Sequence, residues 1–368
     1  MKPFVCLVCA LLLAQPAAAG DLLGLDNPAL LAPGNGAYAY GHVFAASSYA
    51  PLKDAASEQW SNYSSLNGNN LDLVSARMGV GAVWNGYALG VLQRQEWLGQ
   101  ASRDTLDVYR AQQLGLSLQP GAVYPLEYSV RGFEARGVSA GTSFALEGPA
   151  HSLRWGVSAS LLQGTRVKSQ SATGRATVLT PSTPSVEGNT VNDDSQLDTV
   201  ANGFNANFQA GAPQGRGYSV DLGLSYANAD GIQFEWTVAD AFSEMAWTGV
   251  PEVTLSGTSV FNGQFPSGRK VRVDFKESLP VKQALRFSIP VGPVQLEVAD
   301  SLMGAFNFPS LGLRTLQSAG MEVGVDYDFF FKTVGLRWSG KQGSVIVRCD
   351  SLNPDQARAL MLGFEIRL

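Results

Sequence analysis

Apolar residues recur at every second position in runs of about ten, and turn residues punctuate the runs. The run around Asn85-Gly86 is the tightest constraint. Val80, Ala82 and Trp84 lead in on one face; Tyr87, Leu89 and Val91 lead out on one face. An Asn-Gly pair suits a two-residue type I′ turn, because both positions need positive φ. That register sets Trp84 opposite Tyr87, Ala82 opposite Leu89 and Val80 opposite Val91. An unbroken apolar face results, with an aromatic pair at its turn end.

The pattern returns along the chain. It flanks Glu147-Gly148-Pro149, then Pro213-Gln214-Gly215, with Phe204 to Ala210 leading in. It recurs over Ile232 to Val238, with a partner strand expected near Met245 to Leu255. It flanks Pro290-Val291-Gly292-Pro293, and again Asp328-Phe329-Phe330. The Ser/Thr/Asn-rich stretch 169–194 reads as one long surface loop. The alternate faces are small, polar or charged. Such alternation suits a soluble sandwich as well as a barrel. Composition favours the barrel: 45% of residues are hydrophobic and only 15% charged, against about a quarter charged in soluble domains. Tight turns alternating with long polar connections, and aromatics near strand ends, point the same way.

Both chain ends add to this. Lys2, the apolar run Phe4 to Leu13 and Pro16-Ala17-Ala18-Ala19 form an export signal over residues 1–19, with an uncleaved anchor as the alternative. Leu360, Leu362, Phe364, Ile366 and Leu368 alternate to the end. This resembles the terminal strand of bacterial outer-membrane proteins that the barrel-assembly machinery recognises, although such strands most often end in Phe or Trp. The expectation is an all-β chain: a closed antiparallel transmembrane β-barrel in the cell outer membrane, over 37–368. About fourteen strands are expected, with twelve as the alternative. Residues 20–36 are expected to be a short luminal plug.

Parity assigns the faces. Trp84, Tyr87, Trp155, Tyr218, Trp236 and Trp338 are expected to form a lipid-facing aromatic girdle. Arg154, Asp221, Glu235, Arg286, Glu297, Glu322, Asp326, Arg337, Glu365 and Arg367 are expected to line the lumen. With Ile289 set against Val294, Arg286 falls opposite Glu297. These charges suit either a polar pathway or a closed, salt-bridged lumen. A net charge of −5 argues against nucleic-acid binding. Only His42 and His151 are available as histidines, and Cys349 is the sole cysteine after the signal. No metal, cofactor or catalytic site is expected on that inventory.

Asn27-Pro28-Ala29-Leu30-Leu31 reads as an N-cap followed by a short helical turn. It resembles the hatch segment of FadL-like outer-membrane transporters. Asp221-Leu222-Gly223-Leu224-x-Tyr226 resembles a strand of that superfamily and its TraF-like relatives. The resemblance implies fourteen strands, Asn27 and Pro28 as hatch residues, and uptake of a small hydrophobic ligand. Passive transport is the first functional expectation. A closed structural barrel displaying long loops is the alternative, and an outer-membrane hydrolase is the least favoured.

Overall fold

The computed structural model describes residues 27–31, 35–57, 62–181, 183–197, 214–260, 267–315, 321–340 and 342–368. The expected signal and the Phe204 to Ala210 run lie outside them. The strands are β1 (Gly36–Ser47), β2 (Asn69–Trp84), β3 (Tyr87–Ser102), β4 (Val123–Glu147), β5 (His151–Thr180), β6 (Thr183–Asp194), β7 (Gln214–Asn228) and β8 (Gln233–Val260). They continue as β9 (Ser267–Glu277), β10 (Lys282–Val291), β11 (Val294–Met303), β12 (Phe306–Thr315), β13 (Glu322–Asp328), β14 (Thr333–Gly340), β15 (Gly343–Cys349) and β16 (Ala359–Arg367). Helices α1 (Leu52–Ser57) and α2 (Arg103–Leu114) sit between strands. No helix among the described residues is long and apolar enough to cross a membrane.

Fourteen of these strands close into a ring. Neighbours pair antiparallel from β1 to β5; β5 pairs with β7, β7 with β8, and β8 with β10; the order then runs to β16, which pairs with β1. The seam joins Tyr38 to Arg367 and Ala46 to Ala359 through nine consecutive pairs. Closure leaves no free edge in the ring, as a wall immersed in lipid requires. The β2–β3 hairpin has the expected register down to Trp84 opposite Tyr87. Asn85 (φ 50°) and Gly86 (φ 80°) take the positive φ values that the turn demands.

The expected count of fourteen is correct, but its composition differs. Gln214 and Gly215 belong to β7 rather than to a turn, and β5 pairs directly with β7. Met245 to Leu255 is no separate strand; it continues β8 past a bulge at Asp240 (φ 58°). Strands β12 and β15, unassigned in the sequence, complete the ring. The stretch 169–194 is not a loop either. It is the upper half of β5 paired with β6, and β6, the upper half of β8 and β9 build a sheet standing above the ring.

Turns 85–86, 148–150 and 292–293 lie at the same end as the start of β1 and the end of β16; α1, α2 and the tall sheet lie at the other. Short turns mark the periplasmic end of such barrels, so the tall sheet is extracellular. In that sheet Asp193 lies directly across from Glu252. Partial burial, and then that like charge, push the Asp193 carboxyl up to about 6. A raised acid pKa in the folded state means this contribution is fully present below the unfolded value near 4 and is lost as pH rises through about 6. Protection of the β6 amides, taken as exchange corrected for its base-catalysed intrinsic rate, is therefore expected to be weaker at pH 7 than at pH 5. An Asp193→Asn variant is expected to lose that difference; an unchanged difference would place its cause elsewhere.

Candidate functional site: a stratified lumen

The outer face of the ring is an apolar band. On β4 the outward positions Val138, Ala140, Thr142, Phe144 and Leu146 cover about 27 Å of strand, roughly 20 Å of height at the usual tilt. Trp84, Tyr87, Trp155, Tyr218 and Trp236 are all exposed on this face, Trp84 at 66%. Trp338 lies there too, half-buried, and Trp155 stacks on Phe144 at 4.3 Å.

The inner face has three levels. At the extracellular mouth, Phe44, Leu71, Leu73, Met303, Phe308 and Met361 point inward and are fully buried or nearly so. Phe331 turns in from the β13–β14 connection and meets Phe44 and Phe308 with ring centroids 5.7 and 5.6 Å apart. The sequence predicts only a turn at Asp328-Phe329-Phe330; Phe331 beside it is part of an apolar stopper.

Below the stopper lies a charged layer. One row of register partners runs Arg314–Gly324–Arg337–Ile346–Gly363–His42–Arg77–Arg94, all on the inner face. Adjacent like charges repel, so every arginine in the row is answered by an acid from another row. Arg314 meets Glu297 at 2.8 Å and Glu322 at 3.3 Å, and Arg337 reaches Glu297 at 3.9 Å. Arg77 meets Asp221 at 3.1 Å. Arg94 grips Asp240 with both terminal nitrogens and Glu96 with its third, while Lys282 meets Glu96 at 2.5 Å. Ser219 donates to Asp240 at 2.7 Å. Arg94 and Asp240 stand on β3 and β8, with β4, β5 and β7 between them around the ring. Their contact therefore bridges the bore. His42 is buried in the same row, and neither ring nitrogen has a partner among the described residues.

Beneath the charged layer, at the periplasmic end, Pro28–Leu30 forms a single 3-10 turn capped by Asn27, whose side chain accepts from the Ala29 amide at 3.0 Å. Asn27 also donates to the Leu224 carbonyl at 3.1 Å, and Ser143 donates to the Leu31 carbonyl at 3.0 Å. Inward glycines receive the turn. A Cβ on Gly156 would sit 2.3 Å from the Pro28 oxygen, and one on Gly223 would sit 2.0 Å from Asn27 Oδ1. Between this turn and the wall is a cavity of about 240 Å³. Leu30, Leu31, Tyr38, Tyr40 and Val83 line it, with Arg77, Asp221, Glu365 and Arg367 on its polar side. The two tyrosine rings stack over Gly79, Gly81 and Gly90, where any Cβ would collide with them.

The remaining expected lumen residues fall into these levels. Arg286 binds Glu235 at 3.0 Å and Glu297 at 3.2 Å. Glu235 stands directly opposite it, but Glu297 is reached diagonally: Val291 pairs with Val294, so Ser288, not Arg286, stands opposite Glu297. The expected register was two residues off because Pro290 is in the strand, beyond the last β8–β10 pair, and only Gly292-Pro293 turns. Asp326 pairs with Arg348, and Glu365 with Arg367 at 2.6 Å. Arg154 holds Glu147 at 3.2 Å near the periplasmic rim. The Arg94–Asp240 contact was missed. Its trace was present, because the Asn85-Gly86 register also sets Arg77 opposite Arg94, a repulsive pair that needs acids from elsewhere.

An even, closed antiparallel ring with an apolar band outside is the outer-membrane design. The chain is an outer-membrane β-barrel. No protein-family profile and no curated protein matches it. Solved structures that overlap it include the Pseudomonas putida toluene transporter TodX, at 12% identity and TM-score 0.40 over 97% of this chain and 95% of that one. A TodX deltaS2S3 mutant monoaromatic hydrocarbon channel overlaps at 11% and 0.45 over 93% and 92%. The CymD monoaromatic hydrocarbon channel overlaps at 10% and 0.30 over 97% of each chain. These overlaps are loose, and the barrel assignment rests on the strand pairing.

Proposed function

We propose that this barrel passes small, apolar molecules across the outer membrane, with residues 20–36 as its luminal plug. The observation that carries the reading is the cavity behind the Pro28–Leu30 turn, which has an aromatic and aliphatic side as well as a charged one inside the barrel wall. On this reading Asn27 and Pro28 seat the plug, and the ten inward charges named from the sequence tune the path. The six girdle aromatics anchor the wall in lipid. The terminal strand serves the barrel-assembly machinery, and no step is enzymatic.

A second reading is a closed structural barrel displaying its tall outer sheet. The Arg94–Asp240 bridge across the bore favours it. Uptake separates the two. Outer-membrane vesicles, whose glycolipid outer leaflet slows apolar dyes that a phospholipid bilayer admits freely, are expected to load phenylnaphthylamine faster with the protein than when empty of it, and faster still when residues 20–36 are deleted. Loading equal to empty vesicles, with and without that deletion, would sink the transport reading.

A further inference from the structure

The apolar band on the tall side of the barrel ends abruptly. Its last outward row runs Val91–Val138–Leu161–Tyr218 across β3, β4, β5 and β7. One step toward the extracellular end, the next outward row is Gln93–Arg136–Gln163–Arg216. All four of these side chains are exposed. Among the described residues no ion pair engages Arg136 or Arg216, although other cations beside this row are matched. Arg166 pairs with Glu134 at 3.3 Å and Lys276 with Glu244 at 2.8 Å. The two unmatched arginines sit two strands apart, about 10 Å, with the Gln163 amide between them. The boundary is thus locally cationic on a chain whose net charge is −5. At the periplasmic end of the same strands the outward positions Thr142, Phe144, Val157 and Trp155 carry no charge.

We infer that Arg136, Gln163 and Arg216 form a docking site for the phosphorylated headgroup of an outer-leaflet glycolipid. Position and charge decide the occupant. Guanidinium groups one row above an acyl-chain band stand at headgroup height, and their planar donors match phosphate oxygens. The acyl chains of the same lipid lie along Val138, Leu161 and Tyr218 below. A soluble anion has no use for that band, and an acidic protein does not reach the lipid boundary. The assignment depends on the barrel's orientation and stands whether or not the lumen transports.

Native mass spectrometry of the detergent-purified full chain tests it, using a bisphosphorylated glycolipid, its dephosphorylated form and inorganic phosphate as probes. The bisphosphorylated lipid is expected to give a one-to-one adduct that excess inorganic phosphate does not displace. Arg136→Gln/Arg216→Gln is expected to weaken the adduct about tenfold. Arg175→Gln, an exposed change higher on β5, is expected to leave it intact. Retained heat-modifiable migration on gels checks that the double variant is still a barrel. Equal binding of the dephosphorylated lipid, or undiminished binding by the folded double variant, overturns the proposal. Displacement by equimolar inorganic phosphate overturns the lipid assignment and leaves a simple anion site. If the double variant does not fold, the single Arg216→Gln variant, expected to lose severalfold, takes its place in the same comparison.

Discussion

Arg94→Met is expected to cost about 3–5 kcal/mol of barrel stability, because it strips the bidentate partner from a buried Asp240 carboxylate. Arg94 is buried to within 3% and its partner to within 1%. Lys282 at 3.5 Å and Ser219 remain, so the loss is partial rather than total. The double variant Arg94→Met/Asp240→Asn is expected to recover much of it, since a buried pair replaced as a whole is far cheaper than a pair broken. Asn is the apt substitute because Asp240 sits at φ 58°, a backbone region that Asn tolerates. Urea unfolding in phospholipid vesicles, followed by tryptophan fluorescence, measures both. The same variants in planar bilayers are expected to conduct ions better than the parent. A single-variant loss below about 1 kcal/mol, with no added conductance, would show that the contact neither braces nor seals the bore.

The second large effect is at the periplasmic end. Gly156→Val places carbons where the Pro28 carbonyl now lies, and Gly223→Val does the same to Asn27. Strand β5 cannot yield without breaking its pairing to β4 and β7, so the 3-10 turn must leave. Overpacking of this kind costs about 1–3 kcal/mol, which converts to about a tenfold rise in the population of the released segment. A cysteine at Leu30, in a background where Cys349 is serine, is expected to react about tenfold faster with a soluble maleimide. Dye loading is expected to rise with it. Unchanged labelling would mean that the glycines do not seat the turn.

What the sequence disclosed follows a physical rule. Where a local motif admits one geometry, the register could be read: Asn85-Gly86 fixes sixteen consecutive pairs of β2 with β3. Where a motif admits two, it misled. Pro290 and Pro293 both signal turns, yet only the second is in one, because Pro290 falls past the last β8–β10 partner and forfeits no donor. The bulge at Asp240 hides the continuity of β8, since it shifts parity within an apolar run. Period two predicts a side of the wall for each charge. Which charges meet across the bore could not be read, because that depends on ring closure. Strands β4 and β5 stand 25 and 30 residues tall and β13 to β15 only seven or eight; length of this kind is invisible where polar residues continue a strand above the lipid.

The seam between β1 and β16 has a kinetic meaning. Its nine pairs join residues more than three hundred positions apart, and its last bonds tie Ala37 to the carbonyl and amide of Leu368. Neither edge finds its partner until β16 reaches β1. Until that moment the chain is an open ribbon with two unpaired borders, the form most prone to pair with a stranger. Every hairpin along the ribbon is local and fast by comparison, so ring closure is the slow step. An escort during that interval serves the two borders, not the hairpins.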